Sequence, residues 1–196
     1  ATNAAVTVEG STGAIISNNQ LTGGTGQTSM GVHVLQGATP TITRNAILGG
    51  AGAQLAVGVN SVGARPSIVD NCGMFDAQGR CTGYCFNSTR FIRARPQNNT
   101  GVNSFAVRLE DSRGALVDRS SLCSFGAGSD SAAVRIFGDA TGTIVRKSIL
   151  EGFGGGANAV GLWADPCGAA SPWVFDNTAV TGNSGVAGSR GDGLRA

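Results

Sequence analysis

Pro40-Thr41-Ile42-Thr43-Arg44-Asn45-Ala46-Ile47-Leu48-Gly49-Gly50 decides the fold, because the chain writes this stretch again at a nearly constant interval. It reads Ala14-Ile15-Ile16-Ser17-Asn18-Asn19-Gln20-Leu21-Thr22-Gly23-Gly24 earlier, and Gly142-Thr143-Ile144-Val145-Arg146-Lys147-Ser148-Ile149-Leu150-Glu151-Gly152 later. Taking one apolar position of each copy as a marker gives Ile16, Ile42, Ile68, Phe86, Val117, Ile144 and Val174, about 26 residues apart on average. Five positions on, Leu21, Ile47, Gly73, Phe91, Leu122, Ile149 and Ala179 form a second column. A third lies upstream, in Gly31-Val32-His33-Val34, Ala106-Val107-Arg108-Leu109, Ala133-Val134-Arg135-Ile136 and Ala159-Val160-Gly161-Leu162.

Within each segment apolar residues flank a polar one, which is the two-residue period of a strand. Helical repeats of this length would space apolar residues by three and four, and would not keep a glycine pair at every turn. A strand of three or four residues is unstable alone, but coils stacked about 4.8 Å apart bury like residues in a continuous core. The repeat therefore predicts an all-β, parallel β-solenoid with three short strands per coil, about seven coils and roughly 26 residues per coil.

The pattern apolar-x-x-Asn-x-apolar-x-Gly followed by Gly-Val-x-Val covers almost the whole chain. It resembles the right-handed parallel β-helix repeats of the pectin-lyase-like superfamily. The resemblance implies a right-handed coil, which is also the general preference of parallel crossovers. It further implies a ladder of turn residues at Asn19, Asn45, Asn71, Thr89, Ser120, Lys147 and Asn177, because Asn tolerates the left-handed conformation and its amide can bond the next coil. Thr89 and Lys147 depart from that pattern and are expected to break it.

Composition agrees with this reading. Charged residues are 13% of the chain, apolar residues 41%, and glycines number 32 in 196 residues; that suits a turn-rich β protein, read as a single domain over 1–196. The net charge of +2 gives no electrostatic case for nucleic acid, and no apolar run of eighteen residues argues for membrane insertion. A start at Ala1 without methionine or leader reads as a trimmed form of something longer. Gly193-Leu194-Arg195 reads as another coil beginning. Open coil ends offer unpaired strand edges, so end-to-end association is expected.

The interval shortens and then lengthens between Cys72 and Gly101, which predicts loop excursions near 73–84 and 93–103, the second led by Arg90, Arg93 and Arg95; a third is expected at 165–171. Cys72, Cys81 and Cys85 are the candidates for a local disulfide, since no histidine stands near to complete a metal site. With the acceptor patterns Asn87-Ser88-Thr89 and Asn98-Asn99-Thr100, they favour an extracellular, cell-surface or periplasmic location.

The outward residues of the third column read Thr7, His33, Asn60, Arg108, Arg135 and Gly161. Arg108 and Arg135 then stand one strand spacing apart and need an anion or carboxylate between them. Glu110, Asp111 and Asp139 are placed to supply it. Arg108, Arg135, Glu110, Asp111, Asp139 and His33 are thus the candidate ligand-binding residues, with surface ion pairing as the plainer account. A second outward column predicts the pairs Arg44–Asp70 and Arg146–Asp176. Trp163, Trp173 and Tyr84 could stack on sugar rings, or equally pack under loops.

No catalytic residue is assigned. Glycoside hydrolysis on this fold needs two carboxylates in register, and the Gly-His-Gly and Arg-Ile-Lys motifs that the resemblance would call for are absent from the chain. A lyase would need a carboxylate cluster for calcium and a basic group, for which Arg108 or Arg135 with Asp111, Asp118 and Asp139 is the available set. The preferred reading is a non-catalytic extracytoplasmic β-helix module, part of a larger surface protein, that presents a polar face and loops to carbohydrate or protein without a cofactor. The alternatives are an enzyme acting on an acidic polysaccharide, with calcium, and a purely structural spacer.

Overall fold

The structure is a computed structural model that describes residues 1–72, 86–87, 103–126, 128–154, 157–165, 172–177, 179–184 and 190–196. The described residues are strands and the turns between them. The first coil contributes β1 (Thr2–Glu9), β2 (Thr12–Ser17) and β3 (Gln20–Thr22), and the second β4 (Thr25–Leu35), β5 (Thr39–Thr43) and β6 (Ala46–Leu48). The third has β7 (Ala51–Val62), β8 (Ser67–Val69) and β9 (Phe86–Asn87), and the fourth β10 (Asn103–Glu110), β11 (Leu116–Asp118) and β12 (Ser121–Gly126). Then come β13 (Asp130–Phe137), β14 (Ile144–Arg146) and β15 (Ile149–Gly154), followed by β16 (Asn158–Ala164), β17 (Trp173–Phe175) and β18 (Ala179–Ser184), with β19 (Arg190–Arg195) last.

Strands in the same place on successive coils pair in parallel. One wall runs β1-β4-β7-β10-β13-β16-β19 and a second runs β2-β5-β8-β11-β14-β17. The third wall is divided into β3-β6 and β9-β12-β15-β18. This is the predicted all-β parallel solenoid. The coil count differs slightly from the expectation. Along the column Val6, Val32, Val59, Val107, Val134, Leu162 and Leu194, five turns average 28 residues, while the turn from Val59 to Val107 takes 48.

The core is these columns seen from inside. Ile42, Ile68, Val117 and Val145 stack in one line, and Ile47, Leu122 and Leu150 fill another; all seven are fully buried. Burying a side chain of this size is worth roughly 1.5–3 kcal/mol, so each coil gains several such contributions and no single strand is stable without its neighbours. Four sequence markers are corrected, Ala179 among them, since Val180 is the residue that pairs with Leu150. Phe86 belongs to the third wall, opposite Leu122, and not to the second. Val145 and Leu150, not Ile144 and Ile149, continue the buried columns, because Val117 pairs with Val145 and Leu122 with Leu150.

The corner between the second and third walls is a hydrogen-bonded ladder. The backbone N–H of Asn19 donates to Asn45 Oδ1 at 3.0 Å, that of Asn45 to Asn71 Oδ1 at 3.0 Å, and that of Asn71 to Ser120 Oγ at 3.2 Å. The series continues from Ser120 to Ser148 Oγ at 3.2 Å and from Ser148 to Asn177 Oδ1 at 3.0 Å. The expected break at Lys147 does not occur: Ser148 is the rung, and its hydroxyl also returns a bond to the Arg146 carbonyl. Thr89 lies outside the described residues, and the ladder passes directly from Asn71 to Ser120. The left-handed residue is the one before each rung, namely Asn18, Arg44, Asp70, Arg119, Lys147 and Asp176, at φ between 45° and 57°.

Of the loop expectations, 73–84, 93–102 and 166–171 lie outside the described residues, as do Tyr84, Arg90, Arg93, Arg95 and the cysteines Cys81, Cys85 and Cys167. Cys72 and Cys123 are buried, and neither is without a partner.

The ladder assignment predicts a contrast. Asn71→Ala removes the acceptor for the Asn45 N–H and the amide that serves the Ile42 and Val69 carbonyls, a cost of about 3 kcal/mol for unpaired buried groups. Lys147→Ala alters a turn position beside the ladder and should cost less than about 1 kcal/mol. Urea denaturation of both variants measures this, and a larger loss at Lys147 would restore it as the rung.

Candidate functional site

The outer face of the longest wall carries the candidate residues. Its register column reads Thr7, His33, Asn60, Arg108, Arg135, Trp163 and Arg195. Trp163, not Gly161, follows Arg135, because Val134 aligns with Leu162 rather than with Val160. Gly161 instead sits where backbone packs closely against it: a Cβ there would lie 2.7 Å from the Gly193 carbonyl oxygen and 2.8 Å from the Thr181 nitrogen.

The two arginines are one strand spacing apart, and the structure separates their charges with rings and carboxylates. Arg108 donates through Nη1 to Asn60 Oδ1 at 2.8 Å and through Nη2 to Glu110 Oε2 at 2.9 Å. Arg135 donates through Nη2 to Asp165 Oδ2 at 3.0 Å. Phe137 lies between them, 4.5 Å from the Arg108 guanidinium carbon and 5.6 Å from that of Arg135. Arg135 and Arg195 each lie 4.4 Å from the ring of Trp163, one on either side in the register. Arg135 also lies over Phe105 at 5.3 Å. Beneath is a second apolar cluster, separate from the rod core, of Met30, Val57, Phe105, Ala132, Val160 and Trp163. The guanidinium groups thus lid an apolar stripe while holding their charge at its surface.

Beside them opens a groove of about 410 Å³, with Phe105 and Leu55 among its apolar residues, Arg108, Arg135 and Phe137 at one side, and Thr28, Gln54 and Asn103 at the other. The Nε of Arg135 is buried and has no hydrogen-bond partner.

The other candidates are not all brought here. Glu110 joins the face through Arg108. Asp111 and Asp139 are used by the turn that follows the wall: Asp111 Oδ1 accepts the Asp139 N–H at 2.8 Å, and Asp139 Oδ1 accepts both the N–H and the hydroxyl of Thr141. Those Thr141 bonds, with Arg113 adding to them, hold the Asp139 carboxyl below the usual range. Asp118, needed by the lyase set, stands on the second wall, nearly buried between Arg119 at 2.6 Å and Arg146 at 3.3 Å. Among the described residues no three His, Cys, Asp or Glu side chains converge as a metal site would require. The expected pairs Arg44–Asp70 and Arg146–Asp176 are not made either. Arg119 holds Asp70 at 2.7 and 3.2 Å, and Arg146 turns to Asp118.

His33 lies two strands from Arg108 on this face. Burial, then the Arg108 charge, push its pKa below 6.5, with Glu9 opposing. Sequence reading missed Phe105, Phe137, Asp165 and Arg195, and named Trp163 as a stacking aromatic without placing it in this column. The available signal was Phe137, two residues after Arg135 and so on the same side of its strand.

Compared with known proteins, the chain matches no family model, no curated protein and no solved structure.

Two outcomes follow from this geometry. Arg135→Ala should uncover Trp163 and Phe105, lower stability by about 1–3 kcal/mol and shift tryptophan emission to the red, with Arg135→Lys a poor rescue because it lacks the flat face. An unshifted emission would contradict the lid. For His33, the unfolded chain takes up a proton near pH 6.5 while the folded chain does so only lower, so stability falls as pH drops below 6.5 towards the folded value. His33→Gln should flatten that fall in thermal melts on either side of pH 6.5, and an unchanged slope would remove His33 from it.

Proposed function

We propose that this protein is a non-catalytic β-helix module, working outside the cytoplasm as part of a larger surface protein, that binds carbohydrate at the arginine–aromatic face of its longest wall. The observation that carries the reading is the groove itself, with flat apolar and aromatic surface beside two guanidinium groups. Rings and apolar faces suit the C–H surfaces of a sugar, and guanidinium with Asn103, Gln54 and Thr28 suits its hydroxyl and acidic groups. A protein partner is the second occupant this face would suit.

The three-walled coil and its turn ladder support placing the module with right-handed, pectin-lyase-like solenoids. The lyase alternative has less support, since its carboxylates are dispersed: Asp118 lies on another wall, and Asp111 and Asp139 are engaged in a turn. A purely structural spacer would not need the groove. For Cys72, Cys81 and Cys85 a local disulfide remains the proposal, checked by peptide mapping under non-reducing conditions.

An array of acidic and neutral polysaccharides tests the function, scored for binding and for the ultraviolet absorbance of an unsaturated product, with and without calcium. Binding without turnover is expected, weakened about tenfold, or ~1.4 kcal/mol, by Arg108→Gln. Calcium-dependent absorbance would overturn the reading in favour of a lyase, and silence in both channels would overturn carbohydrate binding in favour of a spacer or a protein partner.

A further inference from the structure

The two guanidinium groups at the groove are already answered within the chain. Arg108 meets Glu110 at 2.9 Å and Arg135 meets Asp165 at 3.0 Å, each of the four side chains being between 19% and 33% exposed. Asp130, beside Asn103 in the register, adds a further carboxylate, and its Oδ1 accepts the Asn158 amide at 2.7 Å. Arg195 stands beyond Trp163 and donates to Asn158 Oδ1 at 3.0 Å. Three cations, Arg108, Arg135 and Arg195, are thus set against three carboxylates, Glu110, Asp165 and Asp130. His33 adds no charge at pH 7, because its burial, and then the Arg108 charge, hold it neutral against the opposing pull of Glu9. The face is rich in arginine and yet carries no excess of positive charge.

What the groove offers instead is a mixture of donors and acceptors beside flat apolar surface. Gln54 and Asn103 each bring an amide that both donates and accepts, and Thr28 brings a hydroxyl that does the same. Glu110 and Asp165, on the far side of the guanidinium groups, only accept. A sugar hydroxyl suits such a set, since it gives a proton to one group and takes one from another. A carboxylate or sulfate only accepts. Entering here it would shed water near two like charges, with both guanidinium groups already paired. We propose that the ligand of this face is a neutral glycan, read by its hydroxyls and ring C–H surfaces, and that Glu110 and Asp165 are the specificity residues that exclude acidic chains. This specificity rests on the carbohydrate reading of the groove, and narrows it to uncharged sugars. Glu110 and Asp165 then serve twice: they hold Arg108 over Phe137 and Arg135 over Trp163, and they cancel the charge that an acidic ligand would seek.

Matched glycans test this. Each neutral polysaccharide of an array is presented at pH 7 as it is, and again after oxidation of its primary hydroxyls to carboxylates, so that the two members of a pair share their linkages and differ in charge. The neutral member of a bound pair should bind at least about tenfold tighter, with an affinity that changes little between low and high salt. Asp165→Asn and, independently, Glu110→Gln each leave a guanidinium without its carboxylate. Either should tighten binding of the oxidised member by about tenfold, a gain that high salt removes. Thermal melts establish that the variants are folded, and the wild-type pairs decide the matter even where a variant is not. An oxidised member that binds as well as its neutral partner or better, or a preference that neither folded variant alters, overturns the neutral specificity and leaves carbohydrate binding standing. Failure of every pair to bind overturns the carbohydrate reading itself, and the specificity with it.

Discussion

A backbone N–H at a tight corner has to be given a partner, and the coil-to-coil ladder through Asn19, Asn45, Asn71, Ser120, Ser148 and Asn177 is how this chain does so. Each corner turns on a residue at positive φ, and the next residue cannot reach a partner within its own coil. The neighbouring coil supplies one as a side-chain oxygen. A hydroxyl serves nearly as well as an amide here, which is why serine replaces asparagine at two rungs without interrupting the series. What the position demands is an acceptor at fixed height, not a particular residue. That demand locks the register of all three walls, because a coil that slipped by one residue would lose its rung and turn its buried column outward at once.

The outer face inherits its order from that register. Arg108 and Arg135 are adjacent because their coils are in register, and two like charges at that spacing are tolerated because flat rings and carboxylates are in register too. Phe137 pairs with Glu110, and Trp163 falls between Arg135 and Arg195. In a rod whose core already contributes several kcal/mol per coil, such a face is not required for folding. Exposed pairs such as Arg119–Asp70 add only ~0–1 kcal/mol each. The arginine–aromatic stripe is a larger and more specific construction than those pairs, and a groove lined by Phe105, Arg108, Arg135 and Phe137 opens beside it.

The architecture was legible because core columns repeat in residue type. Ile16, Ile42 and Ile68 announce their common place, and the outward series Thr7 to Arg135 followed without error. The misreadings share one cause, which is that pattern matching cannot see pairing. Ile144-Val145 and Ile149-Leu150 each offer two apolar residues side by side, so only the 28-residue step from Ser120 to Ser148 tells which one faces inward. Ala159-Val160-Gly161-Leu162 imitates Gly-Val-x-Val, but the true alignment is shifted by two residues. A shift of two preserves the alternation of faces, so periodicity gives no warning. Phe86 carried the right chemistry for a marker and belonged to another wall. The groove was not legible at all, since it depends on Leu55, Phe105 and Phe137 from three different coils.

The same logic explains why the ends of the rod differ in kind from its sides. Along the sides every column is completed by a neighbour in the chain, and the residues left outward, apart from the arginine–aromatic stripe, are mostly polar or small. The first and last described strands differ from this in carrying exposed large apolar side chains, Ile15 on β2, Trp173 and Phe175 on β17 and Leu194 on β19. A parallel solenoid cannot avoid this, because its core is a line and a line has two open points; a closed barrel has none. Ile15 and Trp173 share an outward column with Thr41, Ser67, Leu116 and Ile144, one residue away from the buried column that runs from Ile16 through Ile42, Ile68, Val117 and Val145 to Val174.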